Sequence, residues 1–188
     1  MGKKMIIAAI CFVVLVIICI WVLRPTSPVN FTVPQPSLEK TVCDKVSAEI
    51  GDCKRILLFD RDSNLVFVEA SEGIVPVRTN ESFTKVQNII FPIMDFAEFK
   101  EEHSDRGPID WRVATDIDGK SSFIYGFAED EAKTIVINRE GKIQPNKFYI
   151  RDHLSVWYVL IDKPEITLPL DVSVYDNNGQ KIDAGFEE

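Results

Sequence analysis

The sequence predicts an α+β protein that is mostly β and is preceded by one transmembrane helix. Three observations predict this class. Residues 5–23 form an uncharged apolar run, short runs rich in β-branched and aromatic residues recur after residue 53, and glycine-containing turns separate the later runs. We expect a short helix with a β-meander over residues 37–108. Over residues 109–188 we expect a small β-sandwich, for which an immunoglobulin-like form is one candidate.

Residues 1–24 are predicted to anchor the chain in the cell membrane. The 19 uncharged residues of 5–23 span about 28 Å as a helix, close to the thickness of the hydrocarbon core. Lys3 and Lys4 precede the run and Arg24 follows it, which places the N-terminus in the cytoplasm and the rest of the chain outside. A cleaved signal peptide is the alternative, but its apolar region would be shorter and would end in a small-residue cleavage site.

The remaining chain is acidic. Residues 25–188 contain 18 basic and 29 acidic residues, a net charge of −11. This balance excludes a basic nucleic-acid-binding protein, so no nucleic acid partner is expected. It also predicts repulsion from anionic lipid and wall polymers, so that contact with the membrane is limited to residues 5–23.

Residues 25–36 contain four prolines and are predicted to be an extended spacer. A helix is predicted to follow over about residues 38–50. Its apolar residues recur every four positions, Ser37 is a candidate N-cap, and Gly51 stands where a terminating glycine is common.

The next part of the chain is predicted to form strands over residues 54–59, 64–69, 73–78 and 83–91. Pro76 lacks an amide hydrogen, so we expect the third of these strands to lie at a sheet edge. A short amphipathic helix is predicted over residues 92–102, and the turn-forming cluster at 103–108 is the predicted internal boundary.

From residue 109 onward every predicted element is a strand. The candidates are residues 111–115, 122–128, 132–138, 153–161 and 169–175, separated by the turn sequences DIDGK, REGK and DNNGQ. The segment 154–161 is apolar at successive positions, which indicates a central strand covered on both faces.

Cys43 and Cys53 are a candidate disulfide pair. Cys43 lies late in the predicted helix and Cys53 lies just beyond its end, so the chain can fold back to bring the two together. An extracytoplasmic location permits the bond, and we favour it over two free thiols. Such a bond would be structural, because no C-x-x-C motif accompanies it.

No catalytic, cofactor-binding or metal-binding residues are predicted. His103 and His153 are fifty residues apart and neither has a second ligand at zinc spacing. The Asp116–Gly119 turn resembles the start of a calcium loop but lacks its closing glutamate. The chain also has no serine or cysteine nucleophile motif and no glycine-rich phosphate loop.

The order of elements resembles small membrane-anchored or secreted proteins of spore-forming Gram-positive bacteria of the Bacillus type. The likeness is carried by RILLFDRDSNLVFVEAS, FIYGFAEDEAKTIVIN, VWYVLID and DVSVYDNNGQKI, and it extends over much of residues 54–183. It implies an extracytoplasmic domain without known catalytic residues.

Together these features predict a single-pass, membrane-anchored extracytoplasmic binding domain that is not an enzyme. Another envelope protein or a peptide is the expected partner. Trp111, Tyr125 and Trp157 are candidate aromatics of the binding surface, and packing in the core is the more common role of such residues. One alternative is an extracytoplasmic hydrolase, which would need a cleft that joins a histidine to carboxylates. Another is a small regulatory membrane subunit that acts through its helix.

Overall fold

A computed structural model describes residues 36–139 and 141–182, which all belong to the compact unit Pro34–Glu188. The transmembrane helix predicted for residues 5–23 and the spacer up to residue 35 lie outside the described residues. Within 36–139 and 141–182, neither helix is long and apolar enough to cross a membrane. The described part of the chain has two helices and thirteen strands in antiparallel sheets, so the mostly β class is confirmed.

The first helix, α1 (Pro36–Glu49), covers one face of the first sheet. Leu38, Val42 and Val46 lie one turn apart and are buried, because residues four positions apart share one face of a helix. They pack against Val66 and Val75 of the sheet below. The apolar residues that recur every four positions therefore form the buried face of a helix, as the sequence predicts.

The first sheet is an antiparallel meander in the order β1-β2-β3-β4, with β5 paired to β3. Its strands are β1 (Cys53–Asp60), β2 (Leu65–Ala70), β3 (Gly73–Thr79), β4 (Val86–Ile89) and β5 (Met94–Asp95). In β2, Val66 and Val68 pack toward α1, whereas Leu65 and Phe67 join the core on the opposite face. The alternation follows from the two-residue period of a strand.

The predicted edge position of the strand that contains Pro76 is wrong. Strand β3 pairs with β2 along its length, and with β5 and β4 at its two ends on the other side. Pro76 lies between the stretches paired with β5 and β4, and its carbonyl still accepts the Ile90 amide at 2.9 Å. The missing amide hydrogen therefore falls in a gap between partner strands, where no ladder hydrogen bond is lost.

Two further four-stranded sheets are built from the rest of the described chain. The middle sheet has the order β10-β11-β7-β6 and the outer sheet the order β13-β12-β8-β9. The middle strands are β6 (Arg112–Ala114), β7 (Ser122–Glu129), β10 (Asn146–Arg151) and β11 (Leu154–Ile161). The outer strands are β8 (Thr134–Arg139), β9 (Gly141–Ile143), β12 (Val172–Tyr175) and β13 (Lys181–Ile182).

The middle sheet is buried on both faces at its two central strands. Phe123, Tyr125 and Phe127 of β7 join Phe67 of the first sheet in one apolar cluster. Ile124, on the opposite face of β7, belongs to a second cluster with the outer sheet. The layers thus follow one another as α1, first sheet, middle sheet and outer sheet, and one core joins residues from 37–108 to residues from 109–182.

The second helix, α2 (Phe96–Arg106), connects the first sheet to the middle sheet. It starts four residues later than predicted, because Asp95 is its N-cap: the carboxylate accepts the amides of Ala97 at 2.6 Å and Glu98 at 3.1 Å. The helix continues to Arg106 and ends at Gly107, which has φ 71°.

Candidate functional site

The three candidate surface aromatics do not form a surface. Tyr125 and Trp157 are fully buried, and Trp111 is half-buried against the cluster shared with the outer sheet. This expectation is wrong because β7 and β11 are central strands of a sheet covered on both faces. The Trp157 indole N–H donates to the carbonyls of Asp110 and Phe127, both at 3.0 Å, which is a structural role.

Cys43 and Cys53 are joined by a disulfide bond, with a Cα–Cα distance of 5.2 Å. The bond links α1 to the first residue of β1 and closes the turn around Gly51. Both cysteines are half-buried, and Cys53 packs against the cluster between α1 and the first sheet. We therefore regard this bond as a staple of the helix-covered sheet.

The turn that resembles a calcium loop is held by its own hydrogen bonds. Asp118 accepts the amides of Lys120 at 3.0 Å and Ser121 at 2.8 Å, and Arg78 donates to its other oxygen at 2.9 Å. Partial burial raises the pKa of Asp118, but these donors outweigh it and lower the pKa below its usual value. Among the described residues there is no group of three or more potential metal ligands.

A buried ion pair lies next to Trp157. Asp110, fully buried, accepts hydrogen bonds from the Arg112 guanidinium and the Phe127 amide, and Arg112 also contacts Glu98 at 2.6 Å. Burial raises the pKa of Asp110, and the charge of Arg112 opposes that rise. The recorded partners of Asp110 and Arg112 are all protein groups, so the cluster has a structural role.

The candidate site is a cleft of about 460 Å³ between α2 and the turn that joins β10 to β11. It has the size typical of ligand-binding cavities. One face of α2 forms one wall, the β10–β11 turn forms the other, and the end of β7 contributes a carboxylate. The lining residues are Phe96, Phe99, Lys100, His103, Ser104, Glu129, Arg151, Asp152, His153 and Leu154. We call this cavity the two-histidine cleft.

The helical wall is fixed to the core by aromatic contacts. Phe96 stacks on Phe127 with ring centroids 5.3 Å apart, and Phe99 contacts the same ring at 5.2 Å. Phe96, Lys100 and His103 follow at spacings of four and three, which places them on one face of α2. The Asp95 cap and these contacts therefore determine what the helix presents to the cleft.

The opposite wall is a tight turn with one residue in an uncommon backbone conformation. His153 has φ 62°, in the left-handed region, and its amide donates to the Tyr149 hydroxyl at 3.0 Å. Its Nδ1 lies 2.7 Å from Oδ2 of Asp130. His153 therefore belongs to a turn, although the sequence analysis placed it in a strand.

The cleft brings together both histidines of the chain. On the helical wall, Nε2 of His103 lies 3.0 Å from Oε2 of Glu129, so the two histidines pair with the adjacent carboxylates 129 and 130. Sequence spacing gave no sign of this, since the partners are 26 and 23 residues away. The detectable signal was the seven-residue spacing from Phe96 to His103, which indicates a shared helix face.

Arg151 has an unusual environment among the arginines. Its guanidinium lies 3.5 Å from the centroid of the Phe96 ring, in a cation–π geometry. Arg55, Arg78, Arg106 and Arg112 each pair with a carboxylate. Within the described part of the chain, Arg151 has no carboxylate within ion-pair distance.

The cleft contains no preformed nucleophile pair. Ser104 is the one hydroxyl group of the lining, and it donates to Asp105 at 3.1 Å and not to an imidazole. The arrangement provides an apolar floor, a rim with charges of both signs, and two imidazoles that each contact a carboxylate. An apolar floor with a few polar groups is typical of ligand-binding cavities, and a histidine beside a carboxylate is also compatible with acid–base catalysis.

A second cavity of about 510 Å³ lies where β1 meets β10 and β11. Its main polar contact is internal: the Tyr158 hydroxyl donates to Asp60 at 2.7 Å, and Ser63 donates to the same oxygen. Burial and the Asp60 charge raise the pKa of Tyr158, which therefore stays a neutral donor. These contacts join the first and middle sheets.

No family model, curated protein sequence or solved structure matches this chain.

Proposed function

We propose that the chain is an extracytoplasmic binding domain, anchored to the cell membrane by residues 5–23, whose ligand occupies the two-histidine cleft. The cleft is the observation that carries the proposal. Three segments distant in sequence meet there around an apolar floor formed by Phe96, Phe99 and Leu154. A charged rim on an apolar floor fixes both the position and the orientation of a bound group.

We propose further that residues 109–182 adopt an immunoglobulin-like sandwich. In chain order, strands β6 to β13 correspond to the letters A, B, C, C′, D, E, F and G. The middle sheet then has the order A-B-E-D and the outer sheet the order G-F-C-C′, as in immunoglobulin-like domains. Such sandwiches are frequent scaffolds for binding at their loops, which supports a recognition role over catalysis.

Site-directed photo-cross-linking in cells tests the binding function. A photoreactive residue replaces exposed Ser104 in the cleft of the full-length chain, and a matched control carries it at exposed Lys142 in β9. We expect a discrete adduct from position 104 that position 142 does not give, and that Leu154→Ala reduces. The same adducts from both positions, or none from position 104, would contradict a cleft-mediated interaction.

A hydrolase is the second candidate, because the cleft joins both histidines to carboxylates. In that case His103, oriented by Glu129 at 3.0 Å, would take a proton from water. Arg151 would then stabilise the developing oxyanion. A panel of chromogenic esters, amides and phosphoesters tests this with the full-length chain and with His103→Gln. Turnover that the substitution removes would favour the hydrolase, whereas equal rates for both proteins would reject it.

A further inference from the structure

We infer that the two-histidine cleft takes a peptide segment in which a carboxylate stands next to an aromatic or aliphatic side chain. Arg151 and Lys100 would bind the carboxylate, and the apolar floor would contact the neighbouring side chain. This inference depends on the proposed binding function and specifies its ligand class.

Two of the acids at or beside the cleft already have a partner: Glu129 lies against His103, and the adjacent Asp130 lies against His153. Asp152 has no cationic partner among the described residues. Arg151 stacks on Phe96 and has no carboxylate partner among the described residues, and the exposed Lys100 has no ion pair there either. The cleft therefore presents two unpaired cations and one unpaired carboxylate, on a domain that is acidic overall.

The position of the guanidinium of Arg151 is suited to binding a carboxylate. Its central carbon lies over the Phe96 ring, 3.5 Å from the centroid, and this contact does not use its N–H groups as hydrogen-bond donors. A planar guanidinium binds a carboxylate through two parallel hydrogen bonds, and less rotational freedom is lost because the group is already ordered. The other apolar lining residues, Phe99 and Leu154, explain why the ligand carries an aromatic or aliphatic neighbour.

Asp152 provides a second test of whether the ligand is an anion or a cation. It lines the cleft beside Arg151, is exposed, and has no cationic partner in the described part of the chain. An anionic ligand is repelled by this carboxylate, so its removal should strengthen binding. For a cationic ligand the effects of Arg151 and Asp152 would both reverse.

The test uses three end-blocked, fluorescently labelled hexapeptides that differ at one position next to a phenylalanine: aspartate, asparagine or lysine. Fluorescence anisotropy with the full-length chain gives the three Kd values. We expect the aspartate peptide to bind about tenfold more tightly than the asparagine peptide, and added NaCl to reduce that difference. Equal affinities, or tighter binding of the lysine peptide, would overturn the inference.

Four substitutions test the residues. Arg151→Gln should raise the Kd of the aspartate peptide about tenfold. Arg151→Lys, which keeps the charge, should raise that Kd by less. Asp152→Asn should strengthen binding, and Lys142→Gln on β9 is the matched control that should leave Kd unchanged. Circular dichroism checks that each variant is folded.

The outcomes separate this inference from the proposed function. If the lysine peptide binds best and Asp152→Asn weakens it, the ligand class is wrong while the cleft remains a binding site. If no peptide binds but position 104 still cross-links a partner, the ligand class alone fails. If position 104 gives no specific adduct, the binding function fails as well.

Discussion

Gly126 is the residue whose substitution most directly tests our account of the core. It lies in β7 opposite Trp157 of β11, inside the I-x-G-x-A sequence. A Cβ atom built on Gly126 would lie 2.1 Å from the carbonyl oxygen of Asp110 and 2.8 Å from its Oδ1. Gly126→Ala therefore forces the Asp110 segment away from β7.

The cost follows from the hydrogen bonds that this movement breaks. Relieving the contact needs a displacement of about 1 Å in a close-packed region. The Phe127 amide would lose its bond to the Asp110 carboxylate, and the Trp157 indole would lose the Asp110 carbonyl. One hydrogen bond to a charged group and one to a neutral group together give about 2–4.5 kcal/mol of lost stability.

Urea unfolding followed by far-UV circular dichroism measures this loss. The control is Gly119→Ala in an exposed turn, where φ is +77° and no atom lies within 4 Å of the added Cβ. In this control the only cost is the left-handed backbone conformation of the new alanine, which lowers the free energy of unfolding by about 1–2 kcal/mol. If Gly126→Ala costs no more than Gly119→Ala, the close approach of Asp110 does not constrain the core as we argue.

Three further predictions concern the other clusters. Replacing Cys43 and Cys53 together by alanine should cost about 2.7 kcal/mol in urea unfolding, from the closure entropy of a loop with a sequence separation of 10; an unchanged midpoint would contradict it. The pKa of Asp118 is lower in the folded state than its unfolded value of 3.8, so its carboxylate stabilises the fold above pH 3.8 and this stabilisation is lost as pH falls through the folded-state pKa. Asp118→Asn should therefore reduce the dependence of the unfolding free energy on pH in this acidic range. Identical pH profiles for the two proteins would refute this. Phe67→Ala should cost about 3–5 kcal/mol in thermal or urea unfolding, since Phe67 is fully buried between the first and middle sheets; a loss below 1 kcal/mol would contradict that position.

Elements with a strong hydrophobic period could be predicted from the sequence. The four-residue repeat of α1 and the doubly apolar segment 154–161 both have the predicted type and environment, the latter as central strand β11 between β10 and β7. In both cases the sequence of the element itself is enough to predict which of its faces are buried, because its apolar positions define those faces.

Elements set by their neighbours could not be predicted. The sequence predicts no element over strand β10, because an edge strand with mostly exposed residues lacks an apolar alternation. Pro76 gave a misleading signal: the sequence shows the missing amide hydrogen but not the gap between β4 and β5 in which it lies. Tyr125 and Trp157 were ambiguous for a similar reason, since a buried aromatic residue and an exposed one have the same sequence signature.

The cleft could not be predicted from the sequence, because its two walls are far apart in the chain and come together only in the folded protein. Both walls contact adjacent residues at the end of β7, and this arrangement preorganises the cleft. His103 on α2 and His153 on the β10–β11 turn contact neighbouring carboxylates, Glu129 and Asp130, at the end of one strand. Each pair is partly exposed, so neither adds much to stability. Their effect is positional: the helical wall contacts Glu129 and the turn contacts the adjacent Asp130, so both walls meet at the end of one strand. A ligand that bridges Arg151 and the apolar floor then meets walls already in place, and little of its binding free energy is lost in ordering them.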